Sequence, residues 1–269
     1  MGNLLHDTEK FAELTHGQSR YFEKGSGEPV ILLHGVGYTG GATSWYRSIE
    51  PLSAHFRVLA LDMLGWGPGD RVERHLAFPY LVEHVREFQD ALGIERSHIV
   101  GHSLGGWIAQ IFAYESPERV NKLALVASAG HSAEFVSAAV TNFVVPTREQ
   151  VHAGVVSSPD LSEDEVEMLT DETMRNIAGP ESESCFRSMT GYMGFQEERR
   201  RYITPRRWSK IKPETLVIMG TKDEGYPPSV GEEMAKTIPN ARLVILEAGH
   251  FIPVEAAKQM NEELIDFLG

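Results

Sequence analysis

Apolar and polar positions along the chain fall into two alternating rhythms. Short runs bounded by turn residues recur at 29–33 (PVILL), 57–61 (RVLAL), 97–100 (SHIV), 122–127 (KLALVA), 215–219 (TLVIM) and 242–246 (RLVIL). Runs apolar on both alternate positions suit strands buried on both faces. Between them lie stretches with helical periodicity at 43–54, 78–92, 104–116, 228–237 and 254–268. In 78–92, Phe78, Leu81, Val82, Val85, Phe88 and Leu92 share one side, as a helix resting on a sheet requires. Strands alternating with helices predict an α/β fold, a mostly parallel sheet with helices on both faces. Ahead of them, FAELTHGQSRYFEK alternates around His16-Gly17 and predicts an antiparallel hairpin at the sheet edge.

The rhythm breaks between residues 131 and 208. That segment holds helix-like pieces at 147–155, 162–175 and 180–193 and no strand pattern, and the strand-helix alternation resumes at Pro213. The expected organisation is a core of residues 1–130 and 209–269 interrupted by a helical cap, 131–208. Within the cap, Met168, Met174, Met189 and Met193 with Phe186 and Tyr192 suit a core or an adaptable apolar wall. EERRRYITPRRW at 197–208 suits a solvated stretch where cap rejoins core.

Composition narrows the class of partner. A chain of 269 residues, 42% hydrophobic and 23% charged, can bury a sizeable core. A formal net charge of -13 disfavours any partner bound by neutralising phosphates, so no nucleic acid is expected. The single cysteine, Cys185, excludes an internal disulfide and suits a reducing compartment. MGNLLHDTEK lacks the basic and apolar regions of a secretory signal, and His6 stands where a myristoylation motif wants Ser or Thr. No apolar run approaches the ~18–20 residues of a membrane span. The expectation is a cytoplasmic protein acting on a small molecule, away from membranes; a homo-oligomer is compatible with all of this.

The chemistry centres on IVGHSLGG at 99–106. Gly101-His102-Ser103-Leu104-Gly105 fits G-x-S-x-G, following a strand and opening a helix. Such a turn holds the serine in a sparsely populated backbone region at a cost of ~1–3 kcal/mol and exposes its hydroxyl above the sheet. A serine needs a base to take its proton and a third group to orient that base. In this sheet type the order along the chain is Ser, then Asp or Glu, then His. TKDEGYPP after one late strand offers Asp223 and Glu224, and AGHFIP after the next offers His250. His250 is therefore assigned as base and Asp223 as its orienter. Asp62 is the chief rival to Asp223, and Glu224 trails both. The backbone N–H of Leu104 and of Val36, in the glycine-rich LLHGVGYTGG, are the expected oxyanion donors. Lacking a G-K-[ST] ending, that loop is not a phosphate cradle.

Of the other histidines, His34 should brace its loop by a hydrogen bond, and His102 should leave the turn in a structural direction. His131, at the start of the cap, is a candidate for the pocket wall. His98 and His102 lack the H-E-x-x-H pattern, so no metal is expected, and no cofactor.

The HG loop, LDMLGWG at 61–67, the serine elbow, Asp223 and His250 together resemble the α/β-hydrolase superfamily over essentially the whole chain. HGVGYTGGATSWYRSI, followed by DMLGWG and SAG, looks like its branch of meta-cleavage product hydrolases. That resemblance implies hydrolysis of a carbon–carbon bond beside a ketone, with a His-assisted ketonisation before attack. It also implies a cap arginine for the substrate's carboxylate, for which Arg175 and Arg187 are candidates; His102, His131 and Phe251 are candidates for further substrate contacts by their positions in the chain. Where that branch usually carries Asn before the nucleophile this chain has His102, and where it carries Trp after the catalytic His it has Phe251. These two departures lean toward a carboxylic ester or lactone. The contrasting expectation is a ligand-binding protein on the same scaffold with turnover slow or absent.

Overall fold

The fold is known from a computed structural model, which describes residues 4–36, 41–70, 77–134, 145–156, 161–178 and 181–269. Each apolar run becomes a strand: β3 (Pro29–Leu33), β4 (Arg57–Leu61), β5 (Ser97–His102), β6 (Val120–Val126), β7 (Glu214–Gly220) and β8 (Ala241–Leu246). The N-terminal alternation becomes the antiparallel hairpin β1 (Glu9–Leu14) and β2 (Gly17–Lys24). All eight join one sheet in the order β1-β2-β4-β3-β5-β6-β7-β8. From β4 to β8 neighbouring strands run parallel, and β2 lies antiparallel to β4. The fold expectation is met.

Side-chain alternation divides the core into two layers. Ile31, Leu33, Leu59, Leu61, Ile99, Leu123, Leu125, Val217 and Met219 face one way, into a cluster with Leu81, Val85, Phe88, Ile108, Phe112 and Met234. Those partners come from α3 (Phe78–Ala91), α4 (Leu104–Glu115) and α10 (Pro228–Thr237). Val30, Leu32, Val58, Ala60, Val100, Val126, Leu216 and Ile218 face the other way. They meet Ile49 and Leu52 of α2 (Tyr46–Ser53) and Met260 and Leu264 of α12 (Ala257–Leu268). Each such side chain, fully buried, stabilises the fold by about 1.5–3 kcal/mol. At the far edge β8 is only part-buried along its length, unlike the doubly covered strands that its sequence resembles.

Three details depart from the sequence pattern. A short helix, α1 (Leu4–Thr8), precedes the hairpin, with Leu5 in the core. The 43–54 stretch divides into a 3-10 turn, Ala42–Trp45, and α2. The 254–268 stretch is broken at Ala256, whose φ of -131° separates α11 (Ile252–Glu255) from α12.

Between β6 and β7 come α5 (Arg148–Val156), α6 (Glu163–Asn176), α7 (Glu181–Gly194), α8 (Gln196–Tyr202) and α9 (Pro205–Trp208), with no strand among the described residues. α6 begins at a capping box, Ser162 with Glu165. The insert leaves and returns at one place. Thr204 donates from its amide and from Oγ1 to the carbonyl of Gly130, at 2.9 and 3.0 Å. Trp107 Nε1 donates to Tyr202 O at 2.8 Å, and Trp208 Nε1 to Gln110 Oε1 at 2.6 Å, so the returning end hangs on α4. In the basic stretch Arg200 and Arg201 pair with Glu197 and Glu198 near solvent. Arg199 instead is buried and donates to the carbonyls of Ala133, Met193 and Gly194. The side chains of Cys185, Phe186, Met189 and Tyr192 lie outside the described residues.

Candidate active site

Ser103 occupies the single residue between β5 and α4, with φ 53° and ψ -114°. Its amide donates to Val126 O at 3.0 Å, and its carbonyl accepts from Trp107 at 3.1 Å and Ala129 at 3.0 Å. Those bonds hold a residue with a Cβ in a conformation that favours glycine, a strain of ~1–3 kcal/mol that the surrounding sheet maintains. The flanking glycines have a steric cause. A Cβ at Gly101 would lie 2.4 Å from Gly105 O, and one at Gly105 would lie 2.2 Å from Leu33 O, so the turn packs directly on β3.

The loops after β7 and β8 bring two more groups to the serine. His250 Nε2 lies 2.9 Å from Ser103 Oγ, and His250 Nδ1 lies 2.7 Å from Asp223 Oδ2. With Nδ1–H donating to the carboxylate, Nε2 presents its lone pair to the serine hydroxyl, the tautomer a general base needs. Asp223 Oδ1 accepts the amides of Gly225 at 3.0 Å and Tyr226 at 2.9 Å. Burial pushes the Asp223 carboxyl up, but His250 and the two amides outweigh it, so its pKa is lowered. Asp223 therefore stays ionised wherever the imidazole must be oriented.

Rings enclose the imidazole. Tyr226 stacks on His250 at 5.1 Å and 25°, His102 packs at 5.1 Å, and Phe251 meets it edge-on at 5.6 Å. Tyr226 was absent from the sequence reading. Its signal was available, an aromatic in the same TKDEGYPP loop as Asp223.

The two expected oxyanion donors flank the serine. Leu104 opens α4, and its amide belongs to the first turn, whose N–H groups have no partner within the helix. On the other side a Cβ at Gly35 would lie 3.1 Å from Ser103 Cβ, so the segment leaving β3 passes against the nucleophile. His34, fully buried, donates from Nδ1 to Gly35 O at 2.8 Å and accepts the Met63 amide at Nε2, 3.0 Å away. Burial lowers its pKa and keeps it in that neutral form. The Gly35 carbonyl and the Val36 amide belong to one planar trans peptide and point opposite ways. Holding one sets the direction of the other.

Other candidates are placed elsewhere. His102 is not free to meet a substrate, because its Nε2 donates to the His250 carbonyl at 2.8 Å and burial pushes its pKa down to about 3. It positions the base. Arg175 forms a two-toothed pair with Glu9 of β1, at 2.6 and 2.9 Å, and Arg187 pairs with Glu183 one turn back on α7. Both arginines thus pair with carboxylates of this chain, at side chains that keep 36% and 55% of their surface exposed. Asp62 is engaged by Arg20 and by the Ala42 amide, each at 2.6 Å, and Glu224 is exposed. His131 meets Tyr226 edge-on at 5.4 Å with its Nδ1 buried and unpartnered, and Phe251 is 60% exposed beside the imidazole. No group of three or more metal-ligating side chains occurs among the described residues.

This sheet, elbow and serine–imidazole–carboxylate line define a class, and the profile of the alpha/beta hydrolase fold family matches residues 28–257. The chain belongs to that family. Among its relatives, the 2-hydroxy-6-oxo-6-phenylhexa-2,4-dienoate hydrolase of Comamonas testosteroni is 31% identical over 286 residues, covering 97% of this chain and 96% of that protein. The dihydrolipoyllysine-residue acetyltransferase component of the acetoin cleaving system of Pseudomonas putida is 31% identical over 93% of this chain, and the match spans 66% of that protein's length. A meta-cleavage product hydrolase from Pseudomonas fluorescens IP01 superposes with a TM-score of 0.80 at 27% identity, covering 96% of this chain and 97% of that one.

Proposed function

We propose that this protein is a serine hydrolase acting on a carbonyl of a small molecule, with Ser103 as nucleophile, His250 as general base and acid, and Asp223 as the group that orients it. The single observation that carries the reading is the continuous hydrogen-bonded line from Ser103 Oγ through the imidazole to the Asp223 carboxylate, 2.9 and 2.7 Å. As Oγ bonds to the carbonyl carbon, its proton passes to Nε2. The oxyanion that forms is met by the amides of Leu104 and Val36, each such donor being worth ~2.7–4 kcal/mol. Collapse expels the leaving group, which takes the proton from His250, and water repeats the sequence on the acyl-enzyme. Residues 131–208 act as a cap over this site, a reading supported by the return of the insert to α4, the helix that starts one residue after the serine. His131 and Phe251, beside Tyr226 and His250, are the substrate contacts this reading retains. One cysteine and a folded, acidic chain suit residence in the cytoplasm, and no helix among the described residues is long and apolar enough to cross a membrane.

Two substrate classes each have an observation in their favour. The dienoate hydrolase relative, matched over nearly both full lengths, favours a ring-fission ketone cleaved at a carbon–carbon bond. The engagement of Arg175 and Arg187 with Glu9 and Glu183 favours a neutral ester or lactone, which needs no cation. Parallel assays of p-nitrophenyl esters and of 2-hydroxy-6-oxo-6-phenylhexa-2,4-dienoate decide between them. In either case Ser103→Ala should lower kcat by several orders of magnitude while circular dichroism is unchanged. Full activity in that variant would refute the mechanism.

A further inference from the structure

Arg20 lies in the middle of β2, and its side chain is fully buried. Three of its nitrogens reach three partners: Nε donates to Asp62 Oδ2 at 2.6 Å, Nη1 to Glu172 Oε2 at 2.8 Å, and Nη2 to Asn176 Oδ1 at 2.8 Å. Nη1 also lies 3.4 Å from Glu9, and the guanidinium rests 4.8 Å from the centre of the Phe22 ring. Glu9 and Glu172 in turn hold Arg175. A buried ion cluster is weak as a source of stability, because desolvation consumes most of the attraction and apolar residues of the same volume do as well. What such a cluster supplies is geometry, and here the geometry leads toward the serine.

Asp62 is the link. Its second oxygen accepts the Ala42 amide at 2.6 Å, and its own amide donates to Arg20 O at 3.1 Å. The next residue, Met63, donates its amide to His34, which holds the Gly35 carbonyl. Asp62 and Met63 therefore back the segment between β3 and α2 at both of its described ends, His34–Val36 and Gly41-Ala42. On its other side Arg20 grips Glu172 and Asn176, both on α6 of the insert.

We propose that Arg20 is a positioning residue for hydrolysis: by clamping Asp62 it holds the segment that carries the Val36 amide, and by gripping Glu172 and Asn176 it makes that placement depend on docking of α6. The proposal rests on the serine-hydrolase reading above. Its consequence is that loosening α6 impairs the chemical step for every substrate, including ones too small to touch the insert. A lysine at position 20 keeps the charge but has one nitrogen, which cannot span three partners on two segments.

The test is kinetics on p-nitrophenyl acetate and on a long-chain p-nitrophenyl ester, with active sites counted by a fluorophosphonate probe. Arg20→Lys should lower kcat per titrated site about 10- to 100-fold on both esters, as a misplaced donor does. KM should change by less than about threefold. Affinity for a trifluoromethyl ketone, which forms a tetrahedral oxyanion on the serine, should fall in step with kcat. Arg148→Ala, which removes only solvent-exposed pairs with Asp171 and Glu167 and keeps α6 docked on Arg20 through Glu172 and Asn176, should leave kcat unchanged. If Arg20→Lys fails to fold, Glu172→Leu with Asn176→Leu releases α6 while keeping the Arg20–Asp62 pair, and it should lower kcat on the acetate about 3- to 10-fold. A lower melting temperature with kcat per site and ketone affinity unaltered would overturn the proposal. Absence of Ser103-dependent ester or dienoate hydrolysis in the wild type would instead overturn the reading on which it stands.

Discussion

Ser103 carries a conformational load that its chemistry explains and its packing does not. Its φ of 53° suits glycine, and the residue is held there by hydrogen bonds from three neighbouring segments. Ser103→Gly should therefore be more stable than Ser103→Ala by about 1–2 kcal/mol, read as a higher urea midpoint, while both variants are equally inactive. Equal midpoints would show that the turn is unstrained. At this scale the sequence was legible where a residue's role depends on its immediate neighbours. The elbow serine, Asp223 and His250 each follow a strand closely, so motif and chain order pointed to three residues that the fold brings within hydrogen-bond distance. The partner of Arg175 could not be read from local pattern, since Glu9 lies 166 positions away in the chain, whereas Arg187 pairs with Glu183 only four residues back. The place of His102 likewise depends on a distant group, the His250 carbonyl 148 positions on, to which its Nε2–H donates.

Among the elements, α4 does the most. Its first turn starts directly after Ser103, its apolar side fills the core, and Gln110 on it joins three segments. Gln110 Nε2 donates to Ser128 Oγ at 2.8 Å and Ala129 O at 3.0 Å, and Oε1 accepts from Trp208. Gln110→Leu would leave a buried indole N–H and a carbonyl without this partner, so a loss of about 2–4 kcal/mol in urea unfolding is expected. A change under about 0.5 kcal/mol would mean that the joint repacks freely. The strands and helices of the core were readable because the sheet is covered on both faces and its runs are apolar throughout. The break at Ala256 and the 3-10 turn at Ala42–Trp45 were not, since apolar periodicity continues across both and only backbone geometry interrupts it.

For the molecule as a whole, buried histidines set the response to acid. His84 and His102 are held neutral by burial, which pushes each pKa down to about 3, and His34 is lowered for the same reason. In the unfolded chain each would titrate near the ordinary value of about 6.5. The unfolded state therefore takes up protons that the fold refuses, and stability falls as pH drops from about 6.5 toward 3. His84 and His102 should each cost about 2 kcal/mol by pH 5, so urea midpoints at pH 7 and pH 5 should differ clearly. His84→Gln should reduce that difference, and an unchanged gap would contradict the assignment.

The meeting of Gly130 with Thr204 has a consequence for how such a molecule can diversify. Because the chain departs and comes back across a single hydrogen-bonded gap, the polypeptide between is a closed loop seen from the sheet. The entropy of closing such a loop grows slowly, by about 0.6 kcal/mol for each doubling of length. Recombination could therefore exchange that excursion for one of another size or shape, provided that the replacement returns acceptors for the buried guanidinium of Arg20.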